Sequence, residues 1–250
     1  MSHSPEKEYS IEALVPYADG TWIIDASNTR EWEVAHNLEF TVFNDADTGY
    51  VENYDEYMAD YGPYDDRSKF IITVRNGELA GCLRLIHPDK NQEGNGFMSI
   101  QAALQPNEKG EKLEIAPEGR QALAAIDLDR EVIEVGSISV HKKYRSIDQN
   151  DLQTTASSLY GAVAAYIKDY AAEQTGNSEP EKCFILAILD ERFRRLFKRR
   201  YPGATNELGP AVEYMNSPTT PVLVDCISML KADTVRAEAA KQRLGRVAIA

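Results

Sequence analysis

The sequence has few cysteines and no closely spaced pair of them. Its three cysteines are Cys82, Cys183 and Cys226, and no Cys-x-x-Cys motif occurs in the 250 residues. An odd number at such wide spacing argues against both a disulfide framework and a zinc site. Each cysteine stands inside an apolar stretch, so the pattern predicts three buried, small apolar side chains.

Long apolar runs are also missing. No stretch approaches the roughly 20 consecutive apolar residues that a membrane-spanning helix needs. The first ten residues, MSHSPEKEYS, do not have the basic and then apolar layout of a secretory signal. We therefore expect a cytoplasmic protein without a membrane span.

Positive charge is scarce over most of the chain. The 27 lysines and arginines stand against 40 acidic residues, and the net charge is −13. Because phosphate binding depends on many cations, this balance argues against a nucleic-acid partner. The exception is RFRRLFKRRYPG (192–203), which carries five arginines and one lysine. Such a local patch suits a compact acidic partner, and a solvated helix face is the alternative.

The periodicity of apolar residues predicts alternating helices and strands around a core, since 43% of the chain is apolar. The clearest β signal is Asn76-Gly77 between two apolar runs, because both residues tolerate the positive φ of a tight hairpin turn. The order of the predicted helices and strands indicates an α/β (α+β) fold, with a mixed sheet covered by helices on both faces. In chain order the predicted elements are a strand at 21–27, a helix from Asn28 or Thr29 to Phe43, one short helix in 47–66, hairpin strands at 69–75 and 78–87, a polar connection at 88–130 with one or two short helices, a strand at 131–142, a long helix at 151–173, a strand at 182–189, a helix in the basic segment, late strands at 210–215 and 221–230, and a polar helix from about Ala232.

This order of elements resembles the GNAT acyltransferase fold. Short segments resemble one branch of it, the acyl-homoserine-lactone (autoinducer) synthases and the N-acyl amino acid synthases. The resemblance implies a twisted GNAT-like sheet in which the strands 69–75, 78–87, 131–141 and 182–189 are consecutive neighbours. It also implies a single domain at 21–230, with an N-terminal extension at 1–20 and a polar C-terminal helix or tail at 231–250. The segments that carry it are YDDRSKF (64–70), NGELAGCLRLI (76–86), IEVGSISV (133–140), RRLFKRRYPGATNELGPAVEY (194–214) and TPVLVD (220–225).

Two residues depart from the pattern of that branch. Glu39 and Ser137 stand where the branch usually carries arginines that shape its acceptor site. The departures affect the acceptor chemistry more than the fold. We therefore place Glu39 and Ser137 among the substrate-binding candidates.

The loop after the predicted strand 131–141 also departs from the GNAT pattern. GNAT enzymes use a glycine-rich loop there to cradle the pyrophosphate of coenzyme A. The loop HKKYRSIDQNDL (141–152) has no glycine, which predicts weaker recognition of the nucleotide end of coenzyme A. The resembling branch takes its acyl group from acyl carrier protein, which is small and acidic.

The basic segment suits such a carrier. On a helix, Arg192, Arg195 and Arg199 share one stripe, and the apolar residues between them, Leu196 included, point into the core. The candidates for binding a carrier protein or coenzyme A are His141, Lys142, Lys143, Arg145, Arg194, Arg195, Lys198 and Arg199.

Acyl transfer to an amine needs a base, stabilisation of an oxyanion and alignment of the reactants. Glu134 is the candidate base, because it lies mid-strand among apolar residues, where desolvation raises a carboxyl pKa towards neutrality. A bulge at Gly136 would separate this strand from its neighbour. The backbone N–H of Ser139 or Val140 would then be exposed as an oxyanion donor.

Arg84 shares a strand face with apolar residues, so it needs a carboxylate partner if it is buried. Asp65, Asp66 and Glu134 are the candidates, and Arg84 serves either acceptor binding or a structural ion pair. Asp65 is the candidate for holding the ammonium of the acceptor, with a turn role as the alternative.

The remaining polar residues give weaker indications. Many GNAT enzymes use a tyrosine to protonate the leaving thiolate, but Phe197 stands in that place and Tyr201 follows four residues later. His36, His87 and His141 show neither metal-ligand nor triad spacing. We therefore expect no metal, and we take the three histidines as structural or surface residues.

The sequence thus favours an acyltransferase that moves a fatty acyl group from a carrier-protein or coenzyme A thioester to the amine of an amino acid or related metabolite. The acyl chain would lie in an apolar slot between strands. An ordinary acetyl-coenzyme A N-acetyltransferase is one alternative. A GNAT-like binding module without catalytic activity is another, with Glu39 and Ser137 as signs of lost catalysis.

Overall fold

The computed structural model describes residues 17–45, 49–107, 109–145 and 155–247. Within those residues an eight-stranded sheet has the order β1-β2-β3-β4-β5-β8-β6, and β7 also pairs with β8. β4 and β5 are parallel, and the other pairings are antiparallel. The strands are β1 (Gly20–Ile24), β2 (Ser68–Arg75), β3 (Glu78–Ile86), β4 (Val132–Val140), β5 (Phe184–Asp190), β6 (Thr205–Glu207), β7 (Val212–Tyr214) and β8 (Ser217–Asp225).

Helices cover both faces of this sheet. Alternate residues of β2 divide between two apolar clusters: Ile71 packs with α5, and Phe70 and Ile72 pack with α1. Because neighbouring residues of a strand point to opposite faces, α1 and α5 lie on opposite sides of the sheet. The predicted mixed sheet covered on both faces is confirmed. The helices are α1 (Thr29–Phe43), α2 (Tyr54–Tyr61), α3 (Met98–Leu104), α4 (Pro117–Ala124), α5 (Thr155–Thr175), α6 (Glu191–Arg200) and α7 (Cys226–Val247), with 3-10 turns at Gly62–Arg67, Glu93–Gly96 and Lys142–Tyr144.

The central elements follow the sequence prediction closely. Asn76 and Gly77 have φ of 54° and 75°, as the tight turn between β2 and β3 requires. The four strands β2 to β5 are consecutive neighbours, which confirms the predicted order. The first four residues predicted for the long helix, 151–154, lie outside the described residues.

The late part of the chain differs from the prediction. The stretch 221–230 is not one strand, because β8 ends at Asp225 and α7 begins at Cys226. The Asp225 carboxylate accepts hydrogen bonds from the backbone N–H of Ile227 and Ser228, at 2.9 and 3.2 Å, and so caps the helix. The C-terminal helix therefore begins several residues before Ala232. β6 was not predicted.

The three cysteines are all buried and free, as predicted. No helix in the described part of the chain is both long enough and apolar enough to cross a membrane.

Candidate active site

β4 and β5 separate part-way along their length. They pair from Val132 with Phe184 to Val135 with Ala187. Beyond these residues both strands continue but no longer pair with each other. At the other edge of β4, Arg84 pairs with Ser137 and Leu85 pairs with Val135, so Gly136 is the extra residue of a bulge. The predicted bulge is confirmed, and it lies where the two strands part.

A side chain at Gly136 would crowd its neighbour on β3. A Cβ on Gly136 would lie 2.8 Å from Cδ1 of Ile86, which is too close without a shift of that side chain. The small residue thus lets β3 pack tightly against the bulged strand.

The gap between β4 and β5 exposes backbone donors. His141 N–H donates to Ala80 O on β3, at 3.0 Å. Because amide directions alternate along a strand, Ser139 N–H also points towards β3, whereas Val140 N–H points to the edge that β5 has left. Of the two candidate oxyanion donors, the geometry therefore favours Val140.

An apolar cavity of about 240 Å³ passes through this gap from one face of the sheet to the other. Val42, Phe43 and Tyr61 line it on the α1 side, and Val163, Phe197 and Met229 line it on the α5 side. Asp190 is the one charged residue among the described residues that line it. The remaining lining residues are Tyr50, Leu83, Met98, Val135, Gly136, Ser137, Ile138, Tyr160, Ile185, Ala187, Ile188, Leu189, Phe193, Tyr214, Met215, Thr219 and Val224.

A buried polar cluster adjoins the cavity on the α1 side. Arg84, fully buried on β3, donates from Nη2 to Glu39 Oε2 at 2.7 Å and from Nη1 to Asp65 Oδ1 at 2.6 Å. Its Nη2 also lies 3.1 Å from the Tyr57 hydroxyl. The predicted need of Arg84 for a carboxylate is met by Asp65 and by Glu39. Asp66 and Glu134 form no ion pair with it.

Glu39 is the centre of this cluster. The hydroxyls of Ser137 and Tyr57 both donate to its carboxylate. Burial alone would raise the pKa of Glu39, but the Arg84 guanidinium outweighs burial and lowers that pKa below its ordinary value. Burial also opposes ionisation of Asp65, but His36 and Arg84 lower its pKa. Both carboxyl groups are therefore ionised at neutral pH.

His36 belongs to the same cluster, which the sequence reasoning missed. Its Nε2 lies 3.2 Å from Asp65 Oδ1 and its Nδ1 lies 3.2 Å from the Tyr57 hydroxyl. The available signal was its spacing from Glu39, because residues three apart share one face of a helix.

Ser137 joins the cluster to the cavity. Its hydroxyl donates to Glu39, and the residue also lines the cavity. The four candidate substrate-binding residues, Asp65, Arg84, Ser137 and Glu39, thus lie together beside the gap. Ser139, two residues further along β4, is fully buried, and its hydroxyl has no hydrogen-bond partner.

Glu134 lies apart from this cluster. Its fully buried carboxylate accepts hydrogen bonds from the backbone N–H of Met98 and Ser99 and from the Ser99 hydroxyl, at the N-terminus of α3. Burial raises the pKa of Glu134 to about 7 despite these donors. Glu134 does not line the cavity, although Met98 does.

The basic residues lie where β4 and β5 end. Because these strands are parallel, the turn that begins at His141 and the helix α6 follow them at the same edge of the sheet. Lys143 pairs with Glu78 at 2.7 Å, and Arg145 lies 3.4 Å from Asp45. The structure does not describe 146–154, so most of the glycine-free loop lies outside the described residues.

Acidic residues pair with the cations of α6. Glu191 pairs with Arg194 and Arg195, and Glu207 pairs with Arg194 and Lys198. Leu196 was expected in the core, but its side chain is 51% exposed. It lies on the outer face because Phe193 and Phe197 already fill the inner face against Tyr160.

The two remaining aromatic candidates are separated. Phe197 lines the cavity, whereas Tyr201 is buried and its hydroxyl contacts Arg200 and Asp233. Tyr201 therefore packs against α7 instead of facing the cavity.

Comparisons with known proteins bear on the family and the fold. Residues 38–153 match a family model described as an acetyltransferase (GNAT) domain. Over these residues the chain is similar to a GNAT acetyltransferase domain. The matched residues include β4, and they end before β5 begins. No curated protein matches the chain in sequence.

Solved structures share the fold. TofI, in a ternary complex with an inhibitor and MTA, is 16% identical, with 85% of this chain and 95% of that chain covered and a TM-score of 0.51. FeeM, an N-acyl amino acid synthase from uncultured soil microbes, is 13% identical, with 86% and 96% covered and a TM-score of 0.51. At this identity the likeness shows the fold, and the GNAT-like sheet predicted from the sequence is confirmed.

Proposed function

We propose that this GNAT domain transfers a medium-length or long acyl group from a thioester of acyl carrier protein or coenzyme A to an amine. The observation that carries the proposal is the apolar cavity that passes between β4 and β5. Its volume of about 240 Å³ exceeds the roughly 150 Å³ that accommodates benzene in an engineered cavity. An acetyl group would leave most of this space empty.

The neutral amine attacks the thioester carbon, so that the C–N bond forms and the C–S bond breaks. The nitrogen then loses its second proton to the leaving thiolate, and the products are the amide and the free thiol. Val140 N–H is the proposed donor to the oxyanion, because it faces the gap. The proton of the ammonium goes to a base, for which Glu134 is the proposed group.

The direct test uses the purified protein with decanoyl and acetyl thioesters of acyl carrier protein and of coenzyme A, together with a mixture of amines. Free thiol and amide are measured by colour assay and by mass spectrometry. We expect amide from the decanoyl donors. Amide from the acetyl donors alone would indicate an ordinary N-acetyltransferase, and no amide from any donor would indicate a binding module.

Narrowing the cavity should select against long chains. Ala187 lines the cavity at the last position of β5 that pairs with β4, so Ala187→Leu extends three further carbons towards the acyl site. If three methylenes lose their burial at about 0.8 kcal/mol each, kcat/KM for decanoyl transfer falls on the order of 50-fold. Transfer of a butyryl group should change little. The measurement is kcat/KM against chain length.

The matched control is Ala171→Leu, because Ala171 is buried in the same apolar cluster but does not line the cavity. It should lower stability without changing the preference for chain length. An equal loss for butyryl and decanoyl donors in Ala187→Leu would show that the chain does not occupy this cavity.

The proposed carrier-protein site is the exposed face of α6. Arg195 and Lys198 are exposed beside the exposed Leu196, and an apolar residue among cations suits an acidic partner. Arg195→Glu with Lys198→Glu should lower kcat/KM for carrier-protein thioesters roughly ten- to hundredfold, because attraction is replaced by repulsion. The loss should shrink at 1 M salt, where the Debye length is about 3 Å.

Short acyl-pantetheine thioesters should be used equally by this variant and by the wild type. The control is Arg130→Glu with Lys182→Glu, which makes the same change in net charge at exposed positions before β4 and β5. Equal losses in the two double variants would assign the effect to net charge, and no docking surface on α6 would be needed.

A further inference from the structure

The charged groups in the cavity wall and in the polar cluster beside it are mostly carboxylates. Among the described residues that line the cavity there is no lysine or arginine, and the one charged residue is Asp190. Acceptors that carry a carboxylate therefore find no ion-pair partner in the cavity wall.

Arg84 pairs across the sheet with the wall residue Ser137, and its guanidinium is already occupied. The guanidinium of Arg84 is held by Glu39, Asp65 and the Tyr57 hydroxyl, and it packs over the Phe70 ring at 4.9 Å. Arg67 donates to the backbone carbonyls of its neighbouring loop, including His87 O at 2.9 Å.

The polar cluster instead holds two carboxylates, Glu39 and Asp65, and one guanidinium, that of Arg84. The imidazole of His36 also lies 3.2 Å from Asp65 Oδ1. Ser137 links this cluster to the cavity, because its hydroxyl donates to Glu39 and the residue lines the cavity wall. The Asp65 side chain is 29% exposed, so solvent and a small ligand reach this carboxylate.

We infer that the acceptor is a primary amine without a carboxylate, of the chemical class that decarboxylation of an amino acid yields. The inference rests on the proposed function and narrows its acceptor. The ammonium of such an amine is attracted to Asp65 and Glu39 before it loses its proton. An α-carboxylate at the same place would face two carboxylates and would lose its hydration without gaining a partner.

The test compares amines with the amino acids that differ from them by the carboxylate alone. The pairs are phenethylamine with phenylalanine, tyramine with tyrosine, and 3-methylbutylamine with leucine, each with decanoyl-carrier and decanoyl-pantetheine donors. We expect kcat/KM to be at least tenfold higher for the amine in each pair. A preference for the amino acids, or equal use of both, would overturn the inference and leave the proposed function standing.

No amide from any of the six acceptors would overturn the proposed function and the inference together.

A variant of Asp65 locates the origin of the preference. Asp65→Asn removes a charge that solvent reaches and keeps the shape of the side chain, so the ratio of amine to amino acid should fall at least fivefold, through a higher KM for the amines. A wild-type ratio in Asp65→Asn would overturn the assignment of the preference to this carboxylate.

Discussion

Replacing Arg84 with methionine is expected to lower the free energy of unfolding by about 3–5 kcal/mol. Methionine retains the length and the apolar contacts of the stem but removes the guanidinium. Glu39 is then left fully buried without its ion-pair partner, and burial without a partner is what makes such a loss expensive. Chemical unfolding in urea, with the midpoint and slope compared for both proteins, measures the change.

The loss should depend on pH in a defined direction. In the wild type the pKa of Glu39 is lowered, so its contribution to stability is present above its unfolded pKa and is lost as the pH falls through the folded pKa. Without Arg84, burial raises the pKa of Glu39 instead, and stability declines as the pH rises. The difference between the two proteins should therefore grow from pH 4 to pH 7.

Two further variants separate this explanation from a general effect of losing an arginine. Arg130→Met removes an exposed arginine and should change stability by less than about 0.5 kcal/mol. Glu39→Gln with Arg84→Met removes both charges and should recover more than half of the loss. A loss below about 1 kcal/mol in Arg84→Met alone would contradict the buried ion pair as described.

The sequence predicts the parts of this site that local patterns determine. The hairpin follows from Asn76-Gly77, and the bulge follows from a glycine inside a strand, Gly136. The carboxylate requirement of Arg84 follows from its place between apolar strand residues. Each of these depends on the chemistry of a few neighbouring residues, which can be read without knowing the tertiary structure.

The partners across the fold cannot be predicted in the same way. Glu39 meets Arg84 because α1 packs on the sheet in one rotation, and no local pattern gives that rotation. The N-terminus of α3 is capped by the Glu134 carboxylate, which comes from a strand more than 30 residues later. The residues around the start of α3 therefore do not predict this cap. The end of β8 was missed because Cys226 and the residues after it are as apolar as the strand before them.

Glu134 has two roles to separate, the cap of α3 in the fold and the proposed base in the reaction. A single substitution separates them. As a general base with a pKa of about 7, it would ionise near neutral pH, where a base is most effective. Glu134→Gln keeps the shape and removes the basicity, so kcat/KM should fall by roughly 10²–10⁴ if the proposed base role holds. Steady-state rates with decanoyl-pantetheine and phenethylamine, from pH 5 to pH 9, measure this loss.

The stability of the same variant reports the structural role. Burial raises the folded pKa of Glu134 above its ordinary value of 4.5 to about 7, so the stability that its neutral form provides is present below pH 4.5 and is lost as the pH rises to 7. The ionised form then costs on the order of 3 kcal/mol above pH 7. Glutamine does not ionise, so the melting temperature of the variant relative to the wild type should rise between pH 4.5 and 7 and then stay level. A pH-dependent gain in stability with unchanged kcat/KM would leave Glu134 as the cap of α3 alone and would assign the proton to another group, and a large loss of kcat/KM with that gain would establish the base.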